Sequence, residues 1–453
     1  MREISVREIC ENFFEMENKY DLLNQEFDQV KVWQLLRMIL YYKVALKTGT
    51  FTKPHAEKIA VKDIIKSFFF FFYASLKNPL QGNYQKDILV FDHSRKVVVD
   101  DEYADIYTKY LLEELEPESY DVYESYYLGK HLSKKSNNRK YLDVLSIFSF
   151  LYSKVGRVNF SKNNKDLIKK LEEEFQKRFG VELDLQSLFK EEILNFKFGY
   201  KFYDLLLKKR KPEKIYLVVS YSFYKRSLIA AAKKNGIPTI ELQHGTISPY
   251  HLGYNFPGSK ELDYFPDSFY SFGDYWTNIV NMPLTPENII NKGFAHFRAQ
   301  KKIFEGLKKN SRQILFVSQG AIGRQLSTFA YKAALIMPDY QFVHKLHPEE
   351  YSIWQSDYPD LVKADELPNF QIIDHNKNNL YEYFSQSSTL IGVFSTALYE
   401  GLAFGCNTFV VDLPGVEYMD LLVEKGIVTK VNGAEELKES IDQKKKNHAF
   451  TFF

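Results

Sequence analysis

From Asp87 onward the chain alternates short, wholly apolar runs with stretches whose apolar residues recur every three or four positions. DILVF (Asp87 to Phe91) leads through a polar turn into DIYTKYLLEEL, a strand, a loop and a helix. KIYLVVSYS (Lys214 to Ser222) reads as a buried strand, LIAAAKKNG (Leu228 to Gly236) as a helix closed by Gly236, and IPTIELQHG (Ile237 to Gly245) as the next strand. Strand, helix and strand with unbroken apolar strands predict a parallel sheet. A second series follows: RQILFVSQ, LSTFAYKAALIM, YQFVHKLHP, FQIIDH, NNLYEYFSQS, TLIGVFS, TALYEGLAFG, NTFVVDLP and GIVTKV. It predicts a doubly wound, Rossmann-like α/β domain.

Before Asp87 the periodicity is helical, as in VWQLLRMILYYKVAL (Val32 to Leu46). The expected division is a helical region over 1–85, a Rossmann-like domain over 86–275, a connection over 276–311 and a second Rossmann-like domain over 312–453. The apolar run IIKSFFFFFYASL (Ile64 to Leu76) is broken by Lys66 and Ser67 and falls short of the roughly 20 residues a bilayer crossing needs. It reads as a buried Phe-rich helix, with interfacial membrane contact as the alternative. LGKHLSKKSNNRKYLD (Leu128 to Asp143) reads as a solvated basic loop, and the tail DQKKKNHAFTFF as a loose end, a docked helix or a peripheral membrane anchor.

Composition narrows the function classes. Sixty Lys and Arg against 58 Asp and Glu in 453 residues leave a formal charge of +2, which excludes a global field for nucleic acid. Cys10 and Cys406 stand near opposite ends, fitting neither a disulfide framework nor a metal knuckle, and the N-terminus lacks a secretory pattern. The expected location is the cytoplasm, with peripheral contact at the inner face of the membrane as a variant. Aromatic residues make up 16% of the chain; core packing accounts for most, and some could line a sugar-binding cleft.

Ligands of an open parallel sheet sit beyond the C-terminal strand ends, so polar residues just after apolar strands carry the candidate chemistry. His347-Pro348 follows the strand YQFVHKL, with Pro348 fixing the turn. Ser395-Thr396 opens the helix TALYEGLAFG, where hydroxyls, free N–H groups and the helix dipole suit a phosphate, although an ordinary N-cap explains the pair equally. Glu400 lies further along the same helix and could accept from ribose hydroxyls. The loop Ser318-Gln319-Gly320 lets backbone approach a ligand, but its glycine spacing is not that of a dinucleotide site. No His/Cys/Asp cluster has metal-ligand spacing.

With Gln243-His244-Gly245-Thr246 at an earlier strand end, these residues give the span from about Ile237 to Val431 its character. That span resembles the GT-B glycosyltransferases of bacterial capsule and lipopolysaccharide synthesis, in particular the CMP-sugar-dependent sialyl- and Kdo-transferases and the related CDP-glycerol polymerases. The resemblance implies two facing Rossmann-like domains and a metal-independent transfer without cofactor. A nucleotide-sugar donor, CMP-sugar favoured, would be held by His347, Pro348, Ser395, Thr396 and Glu400, and the acceptor would be a glycan or glycolipid. In related phosphopolymer synthases a histidine in the context of His244 is thought to activate the acceptor hydroxyl, so His244 is the first candidate base. Asp100-Asp101, followed by Glu102, loosely matches the acidic base of CMP-sialyltransferases, though a helix N-terminus accounts for it as well. His93, Arg95 and Gln243 are candidates for holding an acceptor or a donor carboxylate. The alternatives are a CDP-glycerol or UDP-sugar transferase, a UDP-sugar epimerase, and a non-catalytic nucleotide-sugar-binding scaffold.

Overall fold

The computed structural model describes residues 4–51, 70–127, 130–259, 261–304, 306–377, 379–443, 450 and 452–453. Residues 64–69 of the Phe-rich run, 128–129 of the basic loop and 444–449 and 451 of the tail lie outside them. The first apolar run forms β1 (Ile88–Phe91), followed by a small antiparallel hairpin of β2 (Val97–Val99) and β3 (Glu102–Ala104). Then come β4 (Tyr120–Glu124), β5 (Arg139–Tyr141), β6 (Lys214–Val218), β7 (Thr239–Leu242), β8 (Ser268–Ser271) and β9 (Ile289–Asn291). Apart from the hairpin they make a seven-stranded parallel sheet in the order β5-β4-β1-β6-β7-β8-β9. Its interior strand ILVF is buried at every position, as a sheet covered on both faces requires.

A second parallel sheet uses β10 (Asn310–Val317), β11 (Gln341–Lys345), β12 (Phe370–Ile373), β13 (Ser387–Gly392), β14 (Asn407–Val411) and β15 (Thr429–Val431), in the order β12-β11-β10-β13-β14-β15. Both orders are those of a doubly wound Rossmann sheet, the first extended by β9. The strand order reverses between β1 and β6 in one domain and between β10 and β13 in the other. Each reversal opens a crevice at the strand ends.

The domain limits differ from the sequence reading in two places. The stretch taken as a connection contains β9, a full member of the first sheet. The chain end taken as part of the second domain returns to the first, where Trp276 Nε1 donates to the Phe452 carbonyl at 2.7 Å and Phe453 packs on Phe297 and Phe294. The first is a three-residue strand pairing and the second an aromatic contact, and no local period announces either.

The N-terminal helices, α1 (Val6–Tyr20) and α2 (Val32–Thr48), lodge against the helices Lys162–Phe179 and Leu185–Arg210 through Phe13, Trp33 and Phe175. Arg37 of α2 is fully buried; it pairs with Glu17 of α1 at 2.5 Å and donates to the carbonyls of Leu252 and Asn255. The same region touches the second domain through Arg7–Asp420 and through Tyr41–Tyr418, whose hydroxyls are 2.6 Å apart. It therefore spans both sheets rather than standing apart from them.

At the ends of β1, β4 and β5 lies a buried charge network. His131 bridges Glu124 at 2.9 Å and Asp143 at 3.1 Å, Arg139 joins Glu124 at 2.5 Å to Asp92 at 3.1 Å, and Lys96 reaches Asp92 at 2.6 Å. Burial opposes the His131 charge, but the two carboxylates outweigh it and lift its pKa to about 9. Burial likewise opposes ionisation of Glu124, and His131, Lys96 and Arg139 still hold it down to about 2. A histidine raised on folding stabilises fully below its unfolded value and loses that contribution as pH rises through its folded one. His131→Gln should cost about 3 kcal/mol in urea unfolding near pH 6, and the difference from the parent should shrink as pH rises from about 6.5 to beyond 9.

Candidate functional site

The loop after β1 carries two of the expected residues. Asp105 fixes it, its Oδ2 accepting from the His93 amide at 2.8 Å and the Thr108 hydroxyl at 2.9 Å. His93 Nδ1 lies 3.2 Å from both the amide and the carbonyl of Arg95, which hold the ring in place. Lys225 closes the crevice between β1 and β6, donating to the carbonyls of Asp92 and Val218. Its burial lowers the ammonium pKa to about 8. Val219, directly after β6, is held at φ 64°, a strained conformation for a β-branched residue and a mark of a strand end shaped by its surroundings.

His244, after β7, is held at both nitrogens. Tyr254 donates to Glu241 Oε1 at 2.7 Å, so its oxygen takes the proton of His244 Nδ1 at 3.0 Å. Nε2 is then unprotonated and accepts from Tyr221 at 3.0 Å. Burial, reinforced by the neighbouring His93, His251 and Lys225, holds the imidazole well below its ordinary pKa. His93 stacks beside it, with centroids 5.9 Å apart, and burial lowers that ring to about 4. Two neutral imidazoles thus lie side by side, one of them accepting at Nε2 from Tyr221.

In the second domain Ser395 is the N-cap of the helix Thr396–Ala403, yet its hydroxyl makes no cap bond, and Oγ is buried without a partner. Gly401 brings that helix onto β13, since a Cβ there would lie 2.2 Å from Leu390. His347 stands at the N-terminal edge of the short turn Pro348–Glu350, whose Pro348 occupies the first position. Glu350 is fully buried and gathers the two neighbouring loops, accepting from the His347 amide at 2.6 Å, Ser318 Oγ at 2.9 Å and Tyr358 at 3.0 Å. Lys345, at the end of β11, donates to the Leu346 carbonyl at 2.9 Å and to Tyr351, and burial lowers it to about 8.

The two sets of strand ends face one another. Arg95 Nη1 lies 3.1 Å from His347 Nε2; a guanidinium only donates, so Nε2 accepts. A Cβ on Gly245 would stand 3.8 Å from Thr396 Oγ1. His93, Arg95 and His244 therefore share a cleft with His347, Ser395 and Thr396. Burial first, then Arg95 and Lys345, push the His347 pKa down to about 3, so the imidazole stays neutral between two cations.

Other expected residues are occupied elsewhere. Asp100 and Asp101 form the exposed turn between β2 and β3, both at positive φ, which explains an acidic pair by turn geometry. Gln243 is committed at both ends to backbone, to the Gly245 carbonyl at 2.8 Å and the Phe272 amide at 2.7 Å, which leaves it no reach toward an acceptor carboxylate. The Ser318 hydroxyl belongs to Glu350, and Gln319 and Gly320 sit half-buried beside it, with Glu349 Oε2 3.3 Å from a Cβ on Gly320. Glu400 Oε1 accepts from Tyr381 at 2.8 Å, and burial raises its pKa to about 7. Asp105, Tyr221, Lys225, Glu241, Tyr254, Lys345 and Glu350 carry the site without having drawn attention in sequence. A lysine inside the apolar run YQFVHKL is the one local signal among them. Among the described residues no group of three His, Cys, Asp or Glu is placed to hold a metal ion.

The chain matches no protein-family profile and no curated protein. Among solved structures it is similar to the UDP-GlcNAc 2-epimerase of Methanocaldococcus jannaschii, at 10% identity and TM-score 0.45 over 80% of this chain and 93% of that one. It is similar also to the UDP-GlcNAc 2-epimerase of Neisseria meningitidis bound to UDP-GlcNAc, at 12% identity and TM-score 0.45 over 79% and 91%. A glycotransferase of kitacinnamycin aligns at 13% identity and TM-score 0.42 over 79% and 89%. Likenesses of this size leave the architecture to rest on the strand order itself: two Rossmann-like α/β domains whose strand ends meet across one cleft, in the GT-B arrangement.

Proposed function

We propose that the protein is a nucleotide-sugar enzyme that breaks the bond between sugar and phosphate in its interdomain cleft. The observation that carries this reading is the Arg95–His347 contact across the cleft, with Lys345 alongside and the unpartnered Ser395 hydroxyl at the helix N-terminus of the same domain. Arg95 and Lys345 converging on a neutral imidazole suit a phosphate, and the same groups would stabilise the charge that develops when the nucleotide leaves. His244 would act as base, a substrate hydroxyl replacing Tyr221 at the bare Nε2. Transfer to a glycan, with a CMP-sugar as donor, is the form implied by the sequence resemblance.

The stacked neutral pair His93 and His244 favours a second form, epimerisation of a UDP-sugar, which needs two proton-exchanging groups at one sugar and no acceptor.

Thermal-shift titration with CMP, CDP, UDP and GDP checks the nucleotide. One of them should stabilise the protein, and Ser395→Ala or Arg95→Ala should each weaken that nucleotide about tenfold. Stabilisation by UDP alone, with isomerised UDP-sugar appearing in the absence of acceptor, would establish the second form over the first. His244→Ala should keep nucleotide binding while turnover falls by a factor on the order of a thousand. Because His244 is held well below its ordinary pKa, the acid limb of kcat should lie below about pH 6.5.

A further inference from the structure

The helix Asp143–Val155 has its polarity turned inside out. Ser149 and Ser153 are buried with Leu145, and Ser149 Oγ donates to Asn195 Oδ1 at 2.9 Å on the helix Leu185–Arg210. Ile147, Phe148, Phe150, Leu151 and Val155 point outward, 42, 52, 57, 52 and 79% exposed. A helix on the surface of a water-borne domain shows the reverse distribution. Contiguous apolar surface of this kind marks contact with another apolar phase.

The neighbouring surface continues the pattern. Residues 70–76 are helical, and Phe70 stacks on His131, which meets Asp143 at the first residue of the inverted helix. Leu76 of that segment is 69% exposed. Around this apolar centre the charge is basic. Lys134 and Lys135 are exposed in the loop before β5, Lys154 sits 5.0 Å over the Phe150 ring, and Arg157 follows the helix exposed. Two carboxylates offset them, Glu102 paired with Lys134 and Glu191 with Lys154.

An apolar centre with a basic rim matches the interfacial zone of an anionic bilayer. There the aromatic and aliphatic tips enter the acyl boundary while Lys and Arg stems reach headgroup phosphates. A second copy of the chain would set one basic rim against another. Thirteen residues of helix reach roughly 20 Å, too little to cross the hydrocarbon layer but suited to lying in its surface. Among the described residues no helix is long and apolar enough to cross a membrane.

We infer that the face formed by the helix Asp143–Val155 docks the protein on an anionic lipid surface, with the helix lying in the plane of the interface. The helix begins just after β5, so docking sets the strand-end edge of the first sheet beside the lipid headgroups.

Vesicle flotation tests this with the full chain. The protein should float with vesicles containing about one third phosphatidylglycerol, float less at high salt, and float little with phosphatidylcholine alone. The triple variant Phe148→Ser, Phe150→Ser, Leu151→Ser should lose at least roughly tenfold in partitioning, with its unfolding midpoint and nucleotide-induced thermal shift unchanged. Phe150→Trp offers an independent reading: its emission should shift to the blue when anionic vesicles are added. Unchanged flotation of the triple variant, or a Phe150→Trp emission indifferent to vesicles, overturns the inference. So does a parent protein that ignores lipid and self-associates through this face, becoming monomeric in the triple variant.

Discussion

Arg37 is the residue from which the order of the site can be traced. Its guanidinium is fully buried, and its donors go to Glu17 and to the carbonyls of Leu252 and Asn255. Those carbonyls flank Tyr254, whose hydroxyl orients His244. An ion pair so enclosed leaves an uncompensated charge if either member is lost, at about 3 to 5 kcal/mol, so the helices and the loop beneath them are held in one relation. The N-terminal helices thereby brace the loop that carries Tyr254.

The cleft itself works through an imbalance. Acidic groups in the two domains are spent behind the strand ends: Asp105 on loop amides, Glu350 on loops of its own domain, and Asp92 and Glu124 on Lys96, Arg139 and His131. Arg95 and Lys345 are left on the cleft side with a neutral histidine between them. Low polarity around such cations strengthens their attraction for an anion, because water is not there to screen it.

The parallel sheets were legible in sequence because strands covered on both faces are built on unbroken apolar runs, such as ILVF in β1 and the FVV that ends β14. His347 and Ser395 were legible as strand-end residues facing the cleft, because strand ends are where such folds place ligands. The residues that orient them were not. Tyr254 and Glu241 meet His244 across a chain reversal, and Glu350 is recognisable as a hub only once Ser318 and Tyr358 are seen converging on it. Asp100 and Asp101 drew attention by charge, although the hairpin turn accounts for them; Asp105, four residues on, fastens the loop beside His93. β9 was absorbed into the expected connection because three residues are too few to display a period.

The return of the chain end to the first domain bears on how the cleft can move. Phe452 and Phe453 are anchored on Trp276, Phe294 and Phe297, while the opposite end of the chain grips both domains through Arg7, Tyr41 and Arg37. Two bodies joined by a single linker can swivel in any direction. Bodies tied at separated points retain little more than rotation about the line between the ties, as a door does on two hinges. Relative motion of the domains then becomes a search along one coordinate, and little orientational entropy is left to be lost in keeping Arg95 against His347.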